Sequence, residues 1–194
     1  MPLSIDLPDR FDDPASPLPD AAGLRWAAVM ALLLRDAADD PDPRLLLIER
    51  HSALSVHAGQ LAFPGGKPEP HDRSLLDTAL REAEEEVGLP IAETTVLGRL
   101  PPVPTPSGFF IMPFVGLAPY GWQPRAVASE VHAILTPSLQ RLADPAIHRI
   151  ASLRTWKGRS YAMHEYAVHD PPLWGATALM VWELLRRLEL SADP

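Results

Sequence analysis

The sequence predicts an α/β domain. Short apolar runs of strand length alternate along the chain with amphipathic segments of helical period, and no internal repeat is present. The 194 residues suit one domain, and the 46% that are hydrophobic are enough to bury a core. Residues 1–23 carry five prolines and no periodicity, so we expect an extended arm before the folded part.

The first three strands are predicted in the N-terminal third of the chain. Residues 24–34 form an apolar run that favours a central strand over a buried helix, because a turn cluster follows at residues 36–43. Residues 44–50 are expected to be the hairpin partner of this strand. A third short strand is predicted at residues 60–63, where Pro64-Gly65-Gly66 ends it.

The clearest helix is predicted at residues 74–87. Its apolar positions recur at helical spacing and make one stripe, formed by Leu76, Ala79, Leu80, Ala83 and Val87. Asp72 or Ser74 is suited to cap the first turn. Gly88 is suited to a left-handed C-cap, and Pro90 stops any continuation of the helix.

The second half of the chain is expected to alternate strands with two helices. Strand segments are predicted at residues 95–100, 109–117, 126–135 and 152–168, the last being a hairpin that turns at Lys157-Gly158. Helices are predicted at residues 138–143 and 175–190, each beginning after a proline break. This alternation supports the α/β class.

The composition excludes several classes of function. The chain contains no cysteine, which rules out a disulfide scaffold, a cysteine nucleophile and a thiolate metal site. Its formal net charge is −8, whereas nucleic-acid and anionic-membrane partners need basic patches. The N-terminus has no basic start followed by an apolar stretch, and the longest apolar run is far shorter than the roughly 20 residues of a membrane span. We therefore expect a cytoplasmic protein that binds neither nucleic acid nor membrane.

Two short segments carry the whole charge imbalance. Residues 1–23 contain five acidic residues and one arginine, a net charge of −4. Residues 66–89 contain seven acidic and three basic residues, again a net charge of −4. Within the second segment Glu82, Glu85 and Glu86 are three and four positions apart, which places them on one side of the predicted helix, beside its apolar stripe.

The charge pattern leaves three interpretations of these glutamates open. The first is a solvated acidic face, in which Arg81 pairs with Asp77 and Glu85, each four positions away. The second is a divalent-cation site, since Mg²⁺ uses one or two carboxylates together with substrate phosphates. The third is a carboxylate acid/base pair of the glycosidase kind, although such pairs come from separate elements. The preceding Gly65-Gly66 turn favours the cation site, because glycines allow the backbone to approach a ligand closely.

Residues 66–89 resemble the Nudix box, whose pattern runs glycine, five residues, glutamate, seven residues, then Arg-Glu-U-x-Glu-Glu-x-Gly-U, with U aliphatic. The second half of the pattern matches Arg81–Leu89 without a gap. The first half departs from it, because Asp72 stands where glutamate is usual and eight residues rather than seven separate it from Arg81. The resemblance implies a Nudix-type α-β-α sandwich, with a mixed sheet between helices, in one domain over residues 24–190.

A second resemblance points to the coenzyme A (CoA) pyrophosphatase branch of this family. Residues 45–70 are similar to that branch in having a leucine-rich strand that ends at Arg50, a His57-x-Gly59-Gln60 turn and a Phe63–Gly66 segment. The longer spacing within the box resembles the branch too. Further similar segments lie at residues 78–82, 105–108 and 174–178.

The resemblance implies hydrolysis of a pyrophosphate bond, which for CoA gives 3′,5′-ADP and 4′-phosphopantetheine. Glu82 and Glu86 would then hold Mg²⁺ or Mn²⁺, with Glu85 as a third metal ligand. Two residues are candidates for the catalytic base, Glu85 and Glu130, and Glu130 is equally interpretable as an exposed carboxylate at a strand edge. Arg81 is expected to orient Glu85 rather than to contact the substrate.

Four residues near the box are candidates for binding a small diphosphate substrate. Gly65 and Gly66 would bring the backbone close to it, and Arg50 and Lys67 would contact its phosphates. Arg50 is equally interpretable as an ordinary charge at a strand end. Ser55 stands where the branch often carries an arginine, so one cation available to a substrate phosphate is missing.

Two other sets of residues have a structural interpretation first. The seven histidines form no zinc pattern, and His164 and His169 are expected to be surface or satisfied core residues. Phe109 and Phe110 follow the turn at residues 105–108 and are placed to line a pocket, although burial is the default for such side chains.

Two alternative functions stay open. The first is a Nudix hydrolase that acts on NADH, ADP-ribose or a similar diphosphate. The second is a catalytically silent Nudix-like module that binds nucleotides. Such a module would be expected to have lost metal-binding carboxylates, whereas Glu82, Glu85 and Glu86 are all present here.

Overall fold

The computed structural model describes residues 10–51, 59–127, 129, 131–156 and 159–190. In chain order the strands are β1 (Arg25–Leu34), β2 (Arg44–Leu45), β3 (Leu47–Arg50), β4 (Leu61–Ala62), β5 (Gly65–Gly66), β6 (Thr95–Arg99), β7 (Val103–Pro104), β8 (Phe109–Leu117), β9 (Val131–Leu135), β10 (His148–Trp156), β11 (Arg159–Tyr166) and β12 (Leu173–Trp174). The helices are α1 (Leu75–Val87), α2 (Leu139–Leu142) and α3 (Gly175–Arg187), and a 3-10 turn lies at Ile91–Glu93. None of the helices in these ranges has the length and apolarity needed to cross a bilayer.

The largest sheet is mixed. Its strand order is β2-β1-β8-β6, with β5 paired to β1 and β7 paired to β8. β1 and β8 run parallel, and the other pairs are antiparallel. Two three-stranded sheets, β4-β3-β9 and β10-β11-β12, complete the domain. The prediction of an α/β domain with a mixed sheet between helices is confirmed.

β1 is the central strand, and its alternating side chains divide the core into two halves. Met30 and Leu32 point to the face covered by α1, together with Met112 of β8. Ala31 and Leu33 point to the opposite face, which is covered by α3. Because both faces are buried, the strand is apolar without interruption, as strands enclosed by helices usually are. Each such side chain contributes roughly 1.5–3 kcal/mol of hydrophobic stabilisation.

The strand predicted at residues 44–50 divides between two sheets. Arg44 and Leu45 pair with Leu34 and Leu33 of β1, and the Leu46 N–H donates to the Leu32 carbonyl at 2.9 Å. Residues 47–50 leave the main sheet and pair with β4 and β9 instead. The prediction of one hairpin partner for β1 is therefore wrong beyond Leu46. The apolar run 45–48 is fully buried where the chain passes between the sheets, and a local hydrophobic pattern does not show which sheet a strand joins.

The strand predicted at residues 126–135 begins later, at Val131. The backbone N–H groups of Arg125 and Val127 donate to the last two carbonyls of α1, at 3.1 and 3.0 Å. These carbonyls have no partner within the helix, so the segment satisfies a helix end instead of extending a strand. The hairpin predicted at residues 152–168 is present over β10 and β11, and its turn residues 157–158 lie outside the described residues.

Part of the predicted arm packs against the domain. Phe11 is buried in the core on the α3 side, and Asp12 exchanges two backbone hydrogen bonds with Arg99. The Arg187 guanidinium of α3 donates to the Arg10 carbonyl and to Asp12 Oδ1, each at 3.1 Å. The prolines and the lack of periodicity predict an extended arm here, and they give no sign that Phe11 is buried. Residues 1–9 lie outside the described residues.

A pair of histidines, His164 buried and His148 half-buried, joins β10 and β11 beneath α3. His148 Nε2 lies 2.9 Å from His164 Nδ1, and one proton shared between these nitrogens satisfies both. The His164 ring stacks on Trp182 at 4.8 Å and has an exposed fraction of 3%. Burial, reinforced by the charge that His148 would carry, lowers the pKa of His164 to about 4. His164 is thus a satisfied core residue, as expected.

This pair predicts an acid-sensitive fold. The folded pKa of His164 lies below the ordinary value of about 6.5, so the unfolded chain binds the additional proton and stability falls as the pH falls from 6.5 towards 4. Between pH 7.5 and pH 5 we expect a loss of about 2 kcal/mol from this residue. Urea unfolding of the wild type and of His164→Phe at both pH values measures it. Equal pH dependence in the two proteins would contradict this assignment.

Candidate active site

The helix that carries the acidic residues forms where its caps predict. The Ser74 hydroxyl accepts the Asp77 N–H at 3.1 Å, and Gly88 ends the helix with φ of 72°. The side chains that turn inward towards β1 are Leu75, Thr78, Ala79, Ala83, Glu86 and Val87. Glu86 therefore projects from the apolar side of the helix, and its carboxylate requires polar partners there.

Glu86 finds these partners in β5 and β3. Its carboxylate is 6% exposed, and the Gly65 N–H donates to Oε2 at 2.9 Å. Arg50 Nη1 at the end of β3 lies 4.0 Å from Oε1, so a guanidinium faces the same carboxylate. The residues predicted to hold metal and to bind substrate thus meet at Glu86.

The second glutamate, Glu82, lies over the other glycine of β5. A Cβ atom added to Gly66 would overlap the Glu82 carboxylate, whereas one added to Gly65 would overlap the backbone of Ala28 and Val29. Gly65 therefore admits no side chain because the β1 backbone stands in the way, whereas a side chain at Gly66 would have to displace the flexible Glu82 carboxylate. Burial raises the pKa of Glu82, and the Arg81 guanidinium at 3.2 Å partly opposes that shift. A cation bound beside this carboxylate would remove the same electrostatic cost.

Arg81 is held by a buried carboxylate on the loop before α1. Its Nε and Nη2 donate to the two oxygens of Asp72 at 3.0 and 3.1 Å, and the Asp72 side chain is 3% exposed. The Arg81 guanidinium, aided by the Glu69 N–H and the Thr78 hydroxyl, holds the pKa of Asp72 well below its usual range. Removing one partner of such a buried pair typically costs about 3–5 kcal/mol, so this clamp fixes the arginine firmly.

The clamped arginine reaches the third glutamate. Arg81 Nη1 donates to Glu85 Oε2 at 3.0 Å, which is the contact that an orienting role requires. Arg81 Nη2 also donates to the Lys67 carbonyl at 3.2 Å, so the loop after β5 is tied to the helix. Glu85 is 55% exposed and does not share the enclosed position of Glu82 and Glu86.

The structure brings most of the predicted site residues together. Glu82 and Glu86 meet Gly65, Gly66 and Arg50, and Glu85 joins them through Arg81. The Lys67 backbone belongs to this group, while its side chain extends to Phe109. Glu130, the other candidate for the base, lies outside the described residues, as do His57 and Ser55.

The donor set fits a hard divalent cation. The available oxygens are those of carboxylates from one helix, beside a backbone held close by two glycines. In the described ranges no three His, Cys, Asp or Glu side chains are grouped so that they could hold a metal ion. Mg²⁺ typically takes one or two protein carboxylates and completes its shell with water and substrate phosphates.

Sequence reasoning undervalued one residue and missed one contact. The sequence predicts Asp72 as a possible helix cap and as a departure from the Nudix pattern, whereas in the structure it anchors Arg81 from a buried position. Asp72 lies nine positions before Arg81 in the sequence, and this spacing was the available signal of their contact. The Gly65 N–H that holds Glu86 gives no sequence signal, because any residue except proline carries that group.

The chain belongs to the Nudix family. The model of the NUDIX domain matches residues 24–151, which include β1, β5, the whole of α1 and the carboxylate cluster described above. Enzymes of this family generally act with a divalent metal ion, in agreement with the donor set.

Curated relatives and a solved structure agree with this membership. A Photorhabdus laumondii protein named "Uncharacterized Nudix hydrolase NudL" is 37% identical over 77% of this chain and 80% of its own length. A Yersinia pestis protein of the same name is 36% identical over 88% of this chain and 82% of its own. The crystal structure of RenU, a Nudix hydrolase from M. smegmatis, covers 89% of each chain with a TM-score of 0.57 at 18% identity, which supports the fold.

The two glycines of β5 predict separable defects. In Gly66→Ala the new methyl group displaces the flexible Glu82 carboxylate, so we expect an intact fold and about a 100-fold loss of kcat/KM with any substrate the enzyme turns over. In Gly65→Ala the methyl group meets the β1 backbone, so we expect a loss of about 1–3 kcal/mol of stability. Thermal unfolding and hydrolysis assays on both variants check this. A Gly66→Ala enzyme of normal activity would contradict the close contact with Glu82.

Proposed function

We propose that this protein hydrolyses the pyrophosphate bond of CoA to 3′,5′-ADP and 4′-phosphopantetheine, with Mg²⁺ or Mn²⁺ bound by Glu82, Glu86 and Glu85. The observation that carries the hydrolase part is the enclosure of two carboxylates against the Gly65-Gly66 backbone. The resemblance of residues 45–70 to the CoA pyrophosphatase branch supports the substrate. A small nucleotide substrate also suits the predicted cytoplasmic location.

The residues around the cluster have complementary tasks in such a reaction. A bound metal would neutralise the diphosphate and make a water molecule more acidic. Arg50 faces the Glu86 carboxylate and would offer a guanidinium to the substrate phosphates. Phosphoryl transfer requires chiefly positioning and charge stabilisation, so no covalent nucleophile is needed. Water adds to one phosphorus of the diphosphate, and the bond from that phosphorus to the bridging oxygen breaks. The bridging oxygen stays on the other phosphate product, and the proton lost by the water passes to the base and then to solvent.

Two residues are proposed for the proton acceptor. Glu85 is held by Arg81 and is exposed enough to receive a proton from a water molecule. Glu130 is the alternative; it directly precedes β9 in the sequence and lies outside the described residues. Arg81 serves as a positioning residue, because Asp72 fixes its guanidinium from the opposite side.

Substrate assignment is tested with purified protein and a panel of diphosphates. In the presence of Mg²⁺ or Mn²⁺ we expect CoA to give 3′,5′-ADP faster than NADH or ADP-ribose gives AMP. Separation of the nucleotide products by chromatography measures all three rates. Turnover of NADH or ADP-ribose without turnover of CoA would replace the proposed substrate, and turnover of none would favour a nucleotide-binding module.

The metal-ligand assignment is tested on the helix itself. Glu86→Gln retains an oxygen for the Gly65 N–H but loses a negative charge, so we expect normal folding and a loss of activity of about 100-fold or more. Glu84→Gln is the matched control, because Glu84 is an exposed glutamate on the same helix. Titration of Mn²⁺ followed by electron paramagnetic resonance should show weakened binding in the first variant only. Equal activity of the two variants would exclude Glu86 as a metal ligand.

A further inference from the structure

Two cations and an aromatic ring form a cluster next to the glutamates. The Arg25 guanidinium lies over the Phe109 ring, with Cζ 4.3 Å from its centroid. The Lys67 ammonium lies 5.6 Å from the same centroid. The ring is half-buried, and both cationic side chains are exposed. We define Arg25, Lys67 and Phe109 as the basic-aromatic cluster.

The geometry of this cluster is set by the main sheet. Arg25 and Phe109 are paired positions at the beginning of the parallel strands β1 and β8, and the Arg25 N–H donates to the Gly108 carbonyl at 3.0 Å. Thr105 fixes the Phe109 backbone, because its hydroxyl accepts the Phe109 N–H at 3.1 Å. The ring therefore orients the guanidinium before any ligand arrives.

The charges of the cluster are not compensated within the described residues. Neither Arg25 nor Lys67 forms an ion pair with a carboxylate in the part of the chain that the structure describes. Arg25 and Lys67 both lie at the Phe109 ring, so an anion bound there would meet both positive charges. Arginine suits a phosphate because its donors match two phosphate oxygens.

The cluster is close to the reacting groups. Lys67 directly follows Gly66, which lies against Glu82, and its carbonyl accepts a hydrogen bond from Arg81. Since consecutive Cα atoms are about 3.8 Å apart, the Lys67 side chain begins within a few ångströms of the metal carboxylates and leads away from them. A substrate whose diphosphate lies at Glu82 and Glu86 would thus present its neighbouring groups to the cluster.

We propose that the basic-aromatic cluster is a subsite for a phosphate monoester of the substrate, separate from the diphosphate that is cleaved. This inference rests on the proposed function, in which the group is the 3′-phosphate of the ADP half of CoA. A monoester carries about two negative charges at neutral pH, which two cations match. The cluster would then distinguish CoA from dephospho-CoA, which has the same diphosphate but no 3′-phosphate.

The test compares kcat/KM for CoA and for dephospho-CoA. We expect the wild type to favour CoA and Arg25→Gln to lower the ratio of the two values about tenfold, through KM. Arg154→Gln removes an exposed arginine from β10, far along the chain, and should keep the wild-type ratio. An unchanged ratio in the Arg25→Gln enzyme overturns the proposal. This includes an equal loss of kcat/KM for both substrates, which a merely structural contact with Phe109 would cause.

Product binding tests the subsite even if neither substrate is hydrolysed. By isothermal titration calorimetry we expect the wild type to bind 3′,5′-ADP about tenfold more tightly than 5′-AMP, and Arg25→Gln to lose that preference. Preference without CoA hydrolysis would leave the subsite in place and overturn the proposed function. No preference in the wild type overturns the subsite, whatever the enzyme hydrolyses.

Discussion

Gly65 and Gly66 of β5 bring three parts of the fold into contact without an intervening side chain. β5 lies between β1 and α1, and each missing Cβ corresponds to a different contact, the β1 backbone on one side and the Glu82 carboxylate on the other. This close approach lets a backbone N–H reach Glu86 at 2.9 Å. The position of the candidate metal carboxylates relative to the sheet therefore depends on two residues that contribute no side chain at all.

The acidic helix can fold because its three clustered glutamates have different partners. Glu86 is buried and bound to a backbone donor, while Glu82 and Glu85 lie beside one guanidinium. That guanidinium is itself held by Asp72, so an arginine on the helix is balanced by an acid from the preceding loop. The group of glutamates retains net negative charge, which a divalent cation that arrives with a phosphate substrate would offset.

The same sheet serves the site and the core. β1 is buried on both faces between α1 and α3, and its first residue, Arg25, carries the guanidinium that stacks on Phe109. A strand can serve both roles because packing fixes its interior while its first residues remain exposed to a ligand. The protein thus has a local group of cations although its net charge is −8, and the total charge alone does not reveal that group.

Local chemistry determined much of this protein from sequence. The helix at residues 74–87, its caps, the alternation of elements and the position of the glutamates all follow from period, capping and spacing, which are properties of neighbouring residues. Tertiary structure decided the rest. Only folding brings Asp72 to Arg81, the Gly65 N–H to Glu86, or Lys67 to Phe109. It also moved residues 47–50 into a second sheet, since strand partners are chosen by packing across long sequence distances.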